Sequence, residues 1–153
     1  MARVTGEILI NRPVEMVFDY VADQRNELAY NPRMVRSEKI TGGPIGVGTR
    51  FRASARSGRR AMEMLIEITQ YDRPRRLGSQ TTMSSVDING GLTFEPVDGA
   101  TRMSWLWEVS PKGPLRLLGP LVARLGRRQE EAIWSGLKAQ LEESGPARAS
   151  TEQ

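Results

Sequence analysis

Residues 112–146, KGPLRLLGPLVARLGRRQEEAIWSGLKAQLEESGP, decide the fold. Within them Leu118, Leu121, Val122, Leu125, Ala132, Ile133, Leu137 and Leu141 recur at intervals of three and four, the spacing that gathers apolar side chains on one stripe of an α-helix. Lys112-Gly113-Pro114 reads as the opening and Ser144-Gly145-Pro146 as the stop. About thirty helical residues at about 1.5 Å each span roughly 45 Å, enough to cross a whole sheet. Gly119-Pro120 is expected to kink or interrupt the first turns. Such a helix needs an apolar surface to lie on, and the preceding stretch supplies one.

From Met34 to Val109 the pattern has period two and is cut by turn signals. Strands are predicted over 34–41, 48–56, 60–71, 76–83, 86–95 and 101–109. They are separated by Gly42-Gly43-Pro44, Ser57-Gly58, Asp72-Arg73-Pro74, Ser84-Ser85 and Asp98-Gly99. Turns this short join antiparallel neighbours. Alternate side chains point to opposite faces, so parity places Phe51, Ala53, Ala55, Met62, Met64, Ile66 and Ile68 on one side. Leu77, Met83, Ile88, Leu92, Phe94, Met103, Trp105 and Trp107 join them. The opposite side carries Arg50, Arg52, Arg56, Glu63, Glu67, Asp87, Asn89, Glu95, Arg102 and Glu108. A sheet with one apolar and one charged face is covered on the apolar side only, and the C-terminal helix is the cover.

Upstream, residues 3–11 alternate with Val4, Ile8 and Ile10 on one side, predicting a further half-buried strand. Pro13 opens a short amphipathic helix over 13–22, with Val14, Val17, Phe18 and Val21 at helical spacing. Asp23 is placed to cap a second short helix, running to about Ala29 and stopped by Asn31-Pro32.

The chain has 153 residues, the size of one domain, with neither cysteine nor histidine. Disulfide scaffolds, thiolate chemistry, imidazole bases and nearly all zinc, copper or haem sites are thereby excluded, and no metal or cofactor is expected. The net charge is +4, but arginine outnumbers lysine 19 to 3 and the basic residues are scattered. Nucleic acid is therefore not an expected partner. No apolar run reaches membrane-spanning length and no export signal precedes the first strand, so a cytoplasmic protein is expected.

The order of one strand, two short helices, six antiparallel strands and one long helix is that of the helix-grip fold. The local text supports the likeness: Ile10-Asn11-Arg12-Pro13-Val14-Glu15-Met16-Val17-Phe18, Tyr30-Asn31-Pro32, Gly43-Pro44-Ile45-Gly46-Val47-Gly48-Thr49, Tyr71-Asp72-Arg73-Pro74-Arg75-Arg76-Leu77 and Gly99-Ala100-Thr101-Arg102-Met103-Ser104-Trp105. Over residues 3–143 the chain resembles the START-like (SRPBCC) superfamily, in its polyketide cyclase/dehydrase and lipid-transport-like branch. The resemblance implies an α+β helix-grip domain over 1–143, a seven-stranded curved antiparallel sheet around the long helix, with a flexible tail over 144–153. It also implies a cavity for a hydrophobic molecule, but transfers no catalytic set, because the shared motifs shape turns and loops.

Small residues at inward parity, Ala53, Ala55, Ser79, Thr81 and Gly90, leave room between the large ones. The expected lining comprises Phe51, Met62, Met64, Ile66, Ser79 and Thr81 from the first inward-facing strands. Ile88, Leu92, Met103, Trp105 and Trp107 continue it, and Val122, Leu125, Gln129 and Ile133 close it from the helix. The aromatic and methionine side chains either line that space or fill it. Tyr30 and Gln129 are the candidate polar contacts, with Arg25 and Glu27 near the entrance. The 42–49 stretch lacks the lysine-serine ending of a phosphate loop and runs into a strand, so it reads as a hairpin loop at the cavity rim. Arg73, Arg75 and Arg76, and Arg124, Arg127 and Arg128, form the local basic clusters, read as solvated surface or as a docking patch for an anionic membrane or an acidic carrier protein, with membrane contact at most peripheral. Three roles follow: binding or transport of a lipid-, polyketide- or quinone-like molecule, a cofactor-independent cyclase/dehydratase acting on a hydrophobic carbonyl, or a protein-interaction adaptor. The chain acts as a monomer or homodimer in each.

Overall fold

The computed structural model describes residues 2–151, with the side chains of Leu115 and of 144–151 outside the described residues. The chain runs through β1 (Ala2–Ile10), α1 (Val14–Ala22), a 3-10 turn (Gln24–Asn26) and α2 (Glu27–Tyr30). The strands β2 (Met34–Lys39), β3 (Arg50–Ser57), β4 (Arg60–Asp72), β5 (Arg76–Met83), β6 (Val86–Val97) and β7 (Ala100–Pro111) follow. A second 3-10 stretch (Gly113–Leu118) then leads into α3 (Gly119–Thr151). The expected interruption at Gly119-Pro120 is this change of helix type.

All seven strands form one antiparallel sheet in the order β1-β7-β6-β5-β4-β3-β2. The meander from β3 to β7 follows from the short turns, β2 joins β3 through the loop 40–49, and β1 closes onto β7 with Ala2 opposite Val109 and Ile10 opposite Thr101. Two features bend the sheet. Gly90 takes φ 148°, and a side chain there would strike the Leu106 carbonyl across the ladder. A bulge in β4 between Ile68 and Gln70 shifts the register. It also reverses side-chain parity, which turns Tyr71 inward opposite Leu77 to meet Phe18 edge-on at 5.2 Å.

The face assignment from parity agrees with the burial. Phe51, Ala53, Ile66, Ile68, Leu77, Leu92, Phe94, Met103 and Trp105 are buried with Val4, Ile10 and the inner face of α1. Gly6 shares the inward parity of Val4, and the Trp105 indole occupies the space its side chain would take. On the outer face, Arg50 pairs with Glu67 at 2.6 Å and Arg3 with Glu108 at 3.6 Å. Such exposed cross-strand pairs contribute about 0–1 kcal/mol each.

At the N-terminal end, Pro13 caps α1 rather than opening it, with extended ψ 147°, so the helix starts one residue later than expected. Asp23 caps the next turn by accepting from the Arg25 amide at 3.1 Å.

The apolar stripe of α3 is as read from the sequence at Leu137 and Leu141, which are buried with Trp134, but its earlier part is rotated: Leu121 and Leu125 are 50% and 51% exposed and Ala132 faces out. The close approach of β1 explains the turn: a side chain at Gly126 would lie 3.2 Å from Val4 Cγ2. At the other end, the stop expected at Gly145-Pro146 is not taken, since α3 continues to Thr151. Proline lacks the N–H that would bond the carbonyl of Glu142, four residues back. Arg12 replaces it: Nη2 donates to the Glu142 carbonyl at 2.9 Å and Nε to the Leu141 carbonyl at 3.0 Å. No helix among the described residues is long and apolar enough to cross a membrane.

Candidate functional site

α2 crosses α3 where Gly136 stands, and a side chain there would run into the Tyr30 carbonyl. This contact, possible only without a Cβ, sets α2 against the middle of α3 and presses the Tyr30 ring inward. The ring lies 6.2 Å from that of Trp134 and 6.0 Å from that of Tyr20, and Trp134 lies 6.2 Å from Trp105. Four aromatic rings thus run in sequence from α1 through α2 and α3 to β7.

Glu130 sits one helical turn before Trp134, on the same inner face. Its Oε2 accepts two indole N–H bonds, from Trp134 at 2.6 Å and from Trp107 at 3.1 Å. Its Oε1 makes no hydrogen bond among the described residues. Burial among these rings raises its pKa to about 7, outweighing the two indole donors, with the nearby Glu27 adding in the same sense. Glu27 is itself pushed above the ordinary carboxylate range by burial, against the bond it accepts from Asn31 Nδ2 at 2.9 Å. Burial, followed by the neighbouring Glu27, raises the Tyr30 phenol well above its usual value. The Tyr30 hydroxyl makes no hydrogen bond among the described residues.

The expected lining residues divide into two groups. Phe51, Ile66, Ser79, Leu92, Met103 and Trp105 are buried and serve as core. Met62, Met64, Thr81, Ile88, Trp107, Val122 and Ile133 remain partly exposed although they point inward by parity or helical phase. Met62, Met64 and Met83 border an open groove of about 920 Å³ at the ends of β4 and β5, which Arg60, Ser85 and Lys112 also edge. Gln129 is a correction: it is exposed, and the polar position on the inner face of α3 belongs to Glu130. Arg25 also stays outside, paired with Asp23 at 2.8 Å. Glu130 and Trp134 escaped the sequence reading, although a helical register extended back from Leu141 through Leu137 and Trp134 lands on both Glu130 and Gly126.

Residues 1–142 match the family model for "Polyketide cyclase / dehydrase and lipid transport". The chain belongs to this family. Among solved structures, a START superfamily protein from Mycobacterium smegmatis superposes with a TM-score of 0.82 at 14% identity, covering 94% of this chain and 99% of that one. TTHA0849 from Thermus thermophilus gives 0.80 at 22% identity, with 94% and 99% covered. The Zhui aromatase/cyclase from a Streptomyces species gives 0.79 at 13% identity, with 92% and 93% covered. These likenesses establish the helix-grip fold for this member of the family. No curated protein matches the sequence.

Proposed function

We propose that the protein binds a small hydrophobic molecule between α3 and the inner face of the sheet, with no metal or cofactor taking part. The observation that carries this reading is the incomplete burial of Met62, Met64, Thr81, Ile88 and Trp107, all at inward parity. A sealed core would bury them as fully as it buries Phe51 and Met103. Methionines at inward parity suit a ligand whose shape is not rigidly specified, and the groove at the ends of β4 and β5, bordered by three of them together with Arg52, Glu63 and Lys112, would be its edge. The family description, which joins polyketide chemistry with lipid transport, points to the same class of molecule.

Native mass spectrometry of protein purified from its own host tests the reading by looking for a copurified small molecule. Titration of tryptophan emission with lipids and fused-ring aromatics is the second arm. A ligand-free protein that also shows no quenching or shift across the panel overturns it and favours an adaptor. A second reading, a cyclase/dehydratase acting on a hydrophobic carbonyl, is favoured by one observation: Tyr30 and Glu130 each keep an oxygen without a hydrogen-bond partner among the described residues. It predicts that Tyr30→Phe lowers turnover of such a substrate without preventing its binding.

A further inference from the structure

A carboxylate on the inner face of the long helix, bonded through one oxygen only, needs a reason to be there. Apolar side chains at that helical phase would pack Trp107 and Trp134 at no desolvation cost, so Glu130 is not explained by stability. Its two indole bonds fix the carboxyl group in one orientation and leave Oε1 for another partner. Glu130 and Trp107 each keep part of their surface accessible on this inner face, and the residue opposite Trp107 in the ladder is Gly90, which sends no side chain toward the indole. The walls are aromatic: Trp105 and Trp107 from β7, Trp134 from α3, Tyr30 from α2.

We propose that Glu130 Oε1 is the polar anchor for a flat aromatic ligand carrying one hydroxyl or carbonyl oxygen, accepting from a phenol when ionised and donating to a ketone when protonated. This rests on the cavity reading above and adds the ligand class and the contact that selects it. The titratable groups that bear on Glu130 are few. Glu27 and Tyr30 face it from α2, with Tyr20 of α1 behind Tyr30. β7 offers only the two tryptophans, β1 contributes Val4 and Ile8 on its inner side, and Arg127 of α3 is exposed to solvent. Glu130 changes charge near neutrality, so the two protonation states are both within experimental reach.

The test is isothermal calorimetry with three probes of one shape: 2-naphthol, 2-acetylnaphthalene and naphthalene, at about pH 5.5 and about pH 8, on either side of the carboxyl group's transition. One charge-assisted hydrogen bond predicts that 2-naphthol binds about tenfold tighter at the higher pH. The ketone, which needs the protonated acid, binds severalfold to about tenfold tighter at the lower pH, and naphthalene is indifferent. Glu130→Gln abolishes both pH dependences and leaves naphthalene affinity unchanged, while Glu27→Gln preserves them. Equal, pH-independent binding of all three probes overturns the anchor and leaves the cavity reading standing. Loss of the pH dependence in Glu27→Gln alone also overturns it. Failure of all three to bind overturns both.

Discussion

Gly136→Ala opposes two effects of known size. In a helix interior, alanine is more favourable than glycine by about 1 kcal/mol, so on propensity alone the substitution stabilises α3. The new methyl group, however, would fall on the Tyr30 carbonyl, a backbone atom at the end of α2 that cannot swing aside as a side chain would. Relief requires α2 and α3 to separate, loosening the tilted contact of the Tyr30 and Trp134 rings and the burial of Leu137. Overpacking of this kind costs about 1–3 kcal/mol, and the disturbed ring contact about 0.5–1.5 kcal/mol more. The clash therefore outweighs the propensity, leaving a net loss of roughly 0.5–3.5 kcal/mol, about 2 kcal/mol at mid-range, where the Tm falls by about 4–8 °C for a chain of this length. Gly126→Ala is the control on the same helix, because its methyl would meet only Val4 Cγ2 at 3.2 Å, a group able to yield slightly. Here propensity prevails, and the variant is expected to equal or exceed the parent by up to about 0.5 kcal/mol. Urea unfolding followed by far-ultraviolet circular dichroism reads both changes. A Gly136→Ala protein as stable as the parent, or two variants that shift together, refutes the packing argument.

Arg12→Met removes both donors to the Leu141 and Glu142 carbonyls and is expected to lower stability by about 2 kcal/mol, with Arg12→Lys recovering part of it. Urea midpoints check this, and a loss below about 0.5 kcal/mol would mean that water satisfies those carbonyls equally well. Glu130 titrates at about 7 in the folded chain against about 4.3 when unfolded, so the folded state binds the extra proton between those values. Its contribution is complete below the unfolded value and is lost as pH rises through about 7, by up to roughly 3–4 kcal/mol, with Glu27 acting in the same direction. Glu130→Gln keeps an oxygen for the indoles without ionising, so it is expected to be more stable than the parent at alkaline pH and to flatten the slope; parallel stability curves for the two proteins would contradict this. Gly90→Ala combines a positive φ with a collision against the Leu106 carbonyl and is expected to cost more than about 2 kcal/mol, measured in the same unfolding assay.

The strands were readable because most keep a period-two alternation and end at a turn marked by glycine, proline, aspartate or, after β5, a serine pair. Strand parity then named the buried face, and Phe51, Ile66, Leu92, Met103 and Trp105 are where it put them. The β4 bulge was not readable, since nothing in Ile68-Thr69-Gln70 marks an extra residue, and so the inward turn of Tyr71 was missed. The helix phase held at Leu137 and Leu141 but failed in the first half of α3, for a different reason. Leu118, Leu121 and Leu125 are more hydrophobic than Gly126 and Glu130, and hydropathy alone pulled the stripe toward them. The real inner face is chosen by close approach, which favours the small Gly126 and Gly136, and by the indole bonds of Glu130. Polar residues in the run Gln129-Glu130-Glu131 look alike in a sequence; only the partners distinguish the middle one.

The pairing of the first strand with the last has a consequence for synthesis. β2 to β7 form a meander in which β3 to β7 each find their neighbour within a few residues and β2 meets β3 across the loop 40–49, so that part can assemble as it emerges. β1 leaves the ribosome first but has its one partner in β7, and Ala2 must wait for Val109. At the usual rate of translation that delay is about 5–20 s, during which Val4, Ile8 and Ile10 have no sheet to join. The strand that completes the sheet is thus the first of the seven to be made and the last to find its place.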